Sequence, residues 1–390
     1  MPAALIGSSL IVEDASFNKS EHLLRLSGGN TGNFAYIRGL REIVGGSYEH
    51  FRWDAPPSLV REKCNVIVLA CANQLGPHTD LGHFARHLES IGLPILAFGL
   101  GAQAQSFDET AMLTEGTKRW VQVLATHAPT NAPNIGVRGE FSWKVLERLG
   151  LGDRASVTGC PSNFINLDAA LIDKLERKYK APPMLSRIAV AAGLPYWTEL
   201  QRIEEALADL VDSTQGIYVT QHEINMIKIA RNEFDDVDGK TLSLINRYIR
   251  PKLSQAEFIR WCRRHAVCFI DAASWMEALR NVDFVVGPRF HGVMLAIQAG
   301  TPGGVIAHDS RTLEMCQTMQ VPVQHFKDID VDITAQSLVS LFKFDARAYR
   351  RRRVELGRRS IDILRSGGVT PAAGLQALAE EDLQEEREAA

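Results

Sequence analysis

The sequence predicts an α/β protein built from two doubly wound, Rossmann-like halves. Three observations point there. Short β-rich runs alternate with amphipathic helical stretches, the pattern of a parallel sheet covered on both faces. The alternation breaks once, between residues 168 and 186, and then restarts. The length of 390 residues suits two domains that each bury their own core.

In the first half, Val66–Ala70 is a buried strand candidate. Residues 81–91 read as a helix stopped near Gly92, and residues 93–98 as the next strand, followed by Gly99-Leu-Gly101. Residues 141–149 form an amphipathic helix ended by Gly150, and a short strand starts at Ala155. A charged helix over residues 171–180 then meets Pro182-Pro183, which marks the boundary. The expected division is residues 1–170 and 186–345 as the two Rossmann-like domains. A basic helix and an acidic tail occupy residues 346–390.

The second half restarts with a strand at residues 187–191, a helix at 198–212 and a strand at 216–220. Residues 221–255 fit no strand–helix unit; they are a helical excursion or a lid. Strands at 267–269, 283–286 and 304–307 then alternate with helices at 274–280 and 293–300.

Composition narrows the function. Apolar residues make up 45% and charged residues 23%, with a net charge of -3, so no global field draws nucleic acid. No run reaches the roughly 18 apolar residues of a spanning helix. Residues 1–9 lack the basic start and apolar stretch of a secretory signal. The six cysteines are scattered without a Cys-x-x-Cys pair, which reads as reduced thiols in a cytoplasm.

The stretch Val286-Gly-Pro-Arg-Phe-His-Gly-Val293 carries the chemistry. A buried strand ends at Val286, and a helix begins near Gly292. Ligands of open α/β sheets bind outside the carboxyl ends of the strands, and free N–H groups at a helix start favour anions. Arg289 adds a planar donor fork for phosphate or carboxylate. His291 titrates in the range suited to proton transfer, and Gly292 leaves room for a ligand against backbone. The alternative is an arginine paired with a carboxylate and a histidine that only packs. After the next strand, Ser310 or Thr312 can cap a helix. Arg311 there either faces the same cleft or pairs with Glu314.

At this point the chain resembles the polysaccharide pyruvyl transferase family. Asp283-Phe-Val-Val-Gly-Pro-Arg-Phe-His-Gly-Val-Met-Leu-Ala-Ile-Gln-Ala-Gly-Thr-Pro302, followed by Asp309, is similar to the family's C-terminal signature. Gly29-Asn-Thr-Gly-Asn-Phe-Ala35, Pro94-Ile-Leu-Ala-Phe-Gly-Leu-Gly101, Ile135-Gly-Val-Arg-Gly-Glu-Phe-Ser142 and Thr158-Gly-Cys-Pro161 resemble its N-terminal elements. Together they span roughly residues 28 to 315. Asn33 stands where the family usually has aspartate. Ala70-Cys-Ala-Asn-Gln-Leu-Gly76 replaces its first glycine-rich element, and Arg311 replaces a lysine found in many relatives.

The resemblance implies a glycosyltransferase-B-like fold and transfer of pyruvate from phosphoenolpyruvate onto a sugar of a polysaccharide or its precursor, as a ketal. It makes His291 the general acid and Arg289 the donor-anion ligand, with Arg311 and Ser310 beside the donor. Arg138 either reaches the cleft or pairs with Glu140 or Glu147; Asn30 and Asn33 either bind the sugar or shape their loop. No metal or organic cofactor is required. A glycosyltransferase using a nucleotide sugar is the rival reading of the same anion site.

Other signals were weighed and set aside. Gly99-Leu-Gly-Ala-Gln-Ala104 imitates a dinucleotide fingerprint but lacks the acidic partner downstream. Asp328-Ile-Asp-Val-Asp332 reads as an acidic loop, and His78, His83 and His87 as solvated residues rather than metal ligands. Arg350, Arg351, Arg352 and Arg353 either touch anionic lipid or a lipid-linked acceptor, or flank an apolar seam of Tyr349, Leu356 and Ile363.

Overall fold

The computed structural model describes residues 1–103, 111–181, 185–329 and 333–388. Ala104, Pro182, Pro183, Asp330 and Asp332, on which sequence expectations rested, lie outside the described residues. Twelve strands form two six-stranded parallel sheets with helices on their faces, the glycosyltransferase-B-like architecture. The first sheet holds β1 (Ala3–Gly7), β2 (Tyr48–Arg52), β3 (Val66–Ala70), β4 (Ile95–Leu100), β5 (Ile135–Val137) and β6 (Ala155–Val157). Its order is β2-β1-β3-β4-β5-β6. The second holds β7 (Ile188–Ala191), β8 (Ile217–Val219), β9 (Ala266–Val267), β10 (Phe284–Gly287), β11 (Gly303–Ala307) and β12 (Val323–His325). Its order, β12-β11-β10-β7-β8-β9, is that of dinucleotide-binding Rossmann folds.

The strands are short because both faces are covered. β1, β3, β4, β7, β10 and β11 are buried at every position, so they read as unbroken apolar runs rather than alternating ones. Strand order reverses between β1 and β3 in the first sheet and between β7 and β10 in the second. A crevice opens outside the carboxyl ends at such a point.

The turn after β10 shows how tightly the second crevice is built. Gly287 has φ +153°, and a Cβ there would meet the Ala191 carbonyl oxygen at 2.2 Å. Helix Phe290–Ala299 follows directly, with Arg289 in its N-cap position. It therefore starts two residues before the expected Gly292.

Named residues clamp the lobes together. Glu314 accepts from the Ser142 backbone N–H at 2.8 Å and its hydroxyl at 2.9 Å. Asn166 donates two hydrogen bonds to Gln298, from its backbone N–H and its side-chain amide, and the Thr31 N–H donates to the Gln221 carbonyl at 2.8 Å. Residues 221–255 carry helices Ile224–Ala230 and Gly239–Ile249.

Helix Ala346–Ser366 buries Tyr349, Leu356 and Ile363, the expected apolar seam. Its arginines are largely spent. Arg353 is buried and donates to the carbonyls of Asn163 and Asn166. Arg350 pairs with Asp173 and Arg352 with Glu355, which leaves Arg351 as the exposed member of the four. A continuous lipid-facing basic patch is therefore absent from Arg350–Arg353: buried carbonyls and neighbouring carboxylates take up the charge. Among the described residues no helix is long and apolar enough to cross a membrane.

Candidate functional site

The strand ends of both sheets meet at one cavity of about 500 Å³. The first lobe lines it with Ser8 after β1, with Asn73 and Gln74 after β3, and with Arg138 after β5. Asn30, Asn33 and Tyr36 come from the loop and helix that follow β1. The second lobe contributes His222 after β8, His291 after β10 and Arg311 after β11.

The charge is one-sided. Arg138 and Arg311 line the cavity, and no carboxylate does among the described residues. Arg138 is 2% exposed, and its Nε and Nη2 are buried without a hydrogen-bond partner. It is not paired with Glu140 or Glu147. Burial and the neighbouring Arg311 charge both lower its pKa, against the opposing pull of Cys160. Arg311 donates to Asp309 through Nη2 at 3.1 Å, while its Nε is buried and unpartnered. Glu314, its expected partner, is committed to Ser142.

Buried guanidinium donors without acceptors are costly, roughly 1–3 kcal/mol for each unmade bond. Several around one cavity mark a place prepared for an anion.

Arg289 does not line the cavity. It is half-buried with Nη2 unpartnered, and burial and Arg311 push its pKa down to about 10 while Glu204 and Asp309 oppose. Glu204 is itself held by the Tyr218 hydroxyl and the Gly193 N–H. Arg289 thus adds field to the site rather than a lining fork. Gly292 is not a lining residue either: a Cβ there would meet Ala191 Cβ at 2.9 Å, so its smallness serves packing. Ser310 is buried in the first turn of helix Ser310–Met319 and lies off the cavity. That helix is capped by Asp309, whose side chain accepts from the Thr312 N–H at 2.7 Å, not by Ser310 or Thr312. Although burial raises the Asp309 pKa, Arg311 and His308 hold it down to about 2.

His291 sits in the first turn of its helix, with Nε2 at 3.5 Å from Cys160 Sγ and its ring tilted against Tyr36 at 5.9 Å. Burial first, then the charges of Arg138 and Arg311, push its pKa well below the usual imidazole range. His222 is driven to about 4 by burial, Arg289 and Arg311. These shifts favour the neutral form of both rings near pH 7.

Asn30 and Asn33 line the cavity and also shape their loop. Asn30 Oδ1 accepts from the Gly32 N–H at 2.8 Å, and Asn33 Nδ2 donates to the Ser27 carbonyl at 2.8 Å. The second bond accounts for the amide at this position, since a carboxylate has no hydrogen to give that carbonyl.

The sequence reading missed His222, Cys160, Tyr36 and the aromatic lining. His222 follows the end of β8 by three residues, a position that marks it once that strand is drawn. Of the three histidines set aside above, His78 lines the cavity. No group of three residues suited to a metal occurs among the described residues.

The polysaccharide pyruvyl transferase family model matches residues 30–310. No curated protein matches the chain in sequence. Among solved structures, UDP-N-acetylglucosamine 2-epimerase from Rickettsia bellii is similar with a TM-score of 0.47 and 11% identity, over 93% of this chain and 95% of that one. S. aureus MnaA, solved with UDP, gives 0.43 and 11%, over 97% and 95%. UDP-GlcNAc 2-epimerase from Methanocaldococcus jannaschii gives 0.43 and 10%, over 88% and 93%.

Proposed function

The chain belongs to the polysaccharide pyruvyl transferase family, and from that premise we propose that it moves pyruvate from phosphoenolpyruvate onto two hydroxyls of a sugar. The sugar is part of a polysaccharide or its precursor. The observation that supports this reading is a cavity, lined by no carboxylate among the described residues, into which Arg138 and Arg311 bring unpartnered buried N–H groups. A small donor with a phosphate and a carboxylate answers both guanidinium forks.

Arg311 and Arg138 hold the donor, and Arg289 strengthens their field from behind. His291 supplies the proton. Its imidazole is kept neutral by burial first and by the repulsion of Arg138 and Arg311 second. The bound donor cancels that repulsion, so the imidazole takes up a proton as the donor arrives. Protonation of the methylene carbon turns C2 into an oxocarbenium-like centre, and the first sugar hydroxyl bonds to it and loses its proton. The C2–O bond to phosphate then breaks with its electron pair leaving on oxygen. The second hydroxyl closes the ketal and releases its own proton. One of the two released protons restores His291, and the other leaves with hydrogen phosphate. The arginines stabilise the departing charge.

The test is phosphate release from phosphoenolpyruvate in the presence of a panel of methyl glycosides, with donor binding followed by melting temperature. Release with at least one glycoside is expected. A thermal shift with nucleotide sugars and none with phosphoenolpyruvate would move the assignment to glycosyl transfer.

A further inference from the structure

Away from the arginines, the first lobe lines the same cavity with Trp53, Leu81, Phe84, Trp120, Asn73 and Gln74. Trp53 and Phe84 meet edge to face at 5.3 Å, and both are half-buried, which leaves ring surface exposed. Trp120 is 1% exposed, yet its Nε1 lies buried without a partner. The buried Asn73 Oδ1 also lacks one.

These two orphans are fixed in place. Asn73 Nδ2 is engaged by Gln103 Oε1, and the Asn73 carbonyl by His78 Nε2 at 2.8 Å. Gln74 Oε1 is spent on the Ala72 N–H at 2.5 Å. The wall therefore offers the buried Trp120 N–H as a donor, the buried Asn73 Oδ1 as an acceptor, the Gln74 amide N–H groups beside them and aromatic surface. Among the described residues it carries no lysine, arginine, aspartate or glutamate, and the charged residues lining the cavity are Arg138 and Arg311.

A ligand that satisfies this wall must accept one hydrogen bond, donate another and present an apolar face without charge. A pyranose ring does all three: its hydroxyls both accept and donate, and its axial C–H groups form a face that packs on aromatic rings. Size sets a second limit. The cavity of about 500 Å³ must also hold the donor, which leaves space for a single ring. Asn73 and Gln74 lie in residues 70–76, the stretch that stands in place of the glycine-rich element of the family this sequence resembles.

We propose that Trp53, Phe84, Trp120 and Asn73 form the acceptor subsite, and that it takes one terminal, uncharged pyranose. The rest of the glycan projects out of the cavity mouth. The role as acceptor rests on the pyruvyl-transfer reading; the binding of a neutral sugar does not.

The experiment measures binding of methyl hexosides, methyl N-acetylhexosaminides and methyl glucuronide to the full chain by saturation-transfer NMR, with saturating inorganic phosphate present to fill the arginine site. It is repeated with Trp53→Ala, a half-buried position, and phosphate release is measured in parallel on phosphate-free samples. At least one neutral glycoside should bind saturably, with methyl glucuronide about tenfold weaker and Trp53→Ala costing about tenfold in affinity. The thermal shift from phosphoenolpyruvate should stay unchanged in that variant. Equal binding of the glucuronide, no neutral binder, or an indifferent Trp53→Ala overturns the subsite. Saturable neutral binding without phosphate release supports the subsite and removes the transfer reading. Phosphate release with a wild-type acceptor KM in Trp53→Ala does the reverse.

Discussion

Cys160 Sγ lies 3.5 Å from His291 Nε2, and the Ser162 hydroxyl donates to the same sulfur at 3.1 Å. Sulfur and ring nitrogen share a hydrogen-bonding contact whose donor and acceptor roles follow the imidazole tautomer. The contact ties the ring's orientation to the first lobe. Cys160→Ala should lower kcat about tenfold and shift its pH profile, with KM for phosphoenolpyruvate unchanged. Cys160→Ser should recover part of the loss. Identical pH profiles for wild type and Cys160→Ala would reduce the contact to packing.

His291→Gln separates holding the donor from protonating it. The amide keeps polarity and approximate size but has no proton to give, so phosphoenolpyruvate should still raise the melting temperature while phosphate release stops. Calorimetry in buffers of different ionisation enthalpy adds a second readout. Donor binding should take up a proton in wild type, since Arg138 and Arg311 add to the burial that lowers the His291 pKa and the donor's negative charge offsets that arginine part. The uptake should shrink in His291→Gln. Equal uptake by both proteins would move the titrating group elsewhere, with His222 the next candidate.

Much of the frame is legible in the residues. Val66–Ala70 and Ala155–Val157 are strands at their expected positions, because complete burial writes itself as an apolar run. β1, β2, β5 and β12 escaped. Tyr48–Arg52 is mostly half-buried and polar, and Val323–His325 is three half-buried residues long. His291 was legible because it follows a strand in a turn rich in signals. Arg311 and Arg138 were seen, but a one-dimensional reading leaves each with local carboxylates to pair with. In the fold, Glu314 turns away to Ser142 across the lobe boundary, and that long-range choice leaves Arg311 beside the cavity. Cys160 and His291 are separated by 131 residues, so their contact has no local trace.

Arg138 should trade stability for binding. Its buried Nε and Nη2 lack partners in the empty cavity, a cost of about 1–3 kcal/mol per unmade bond. Arg138→Met keeps the aliphatic stem and removes the charge. The variant should melt at or above the wild-type temperature in the absence of ligand, yet lose the shift given by phosphoenolpyruvate. Arg311→Met, at a position 25% exposed in its side chain, should leave stability nearly level and weaken donor affinity about a hundredfold. A normal donor shift in both variants would remove the anion site from this cavity.

The buried imidazoles make a last, independent prediction about acid. His222 and His308 have pKa values pushed down to about 4, and His291 is also held well below its ordinary value, in each case chiefly by burial. Above their ordinary value of 6.5 these rings are neutral both folded and unfolded, and their contribution to stability is constant. As pH falls below 6.5 the unfolded chain binds protons that the folded chain refuses, so stability drops toward pH 4. The buried carboxyls of Glu204 and Glu314, raised by burial, act in the opposite sense and blunt the slope. The imidazole part is isolated by substitution. His308→Gln should lose less melting temperature than wild type between pH 6.5 and pH 4.5, because one refused proton is gone. Parallel losses in the two proteins would mean that His308 accepts its proton in the folded state and that its position against Trp197, 4.5 Å between ring centroids, leaves it open to solvent.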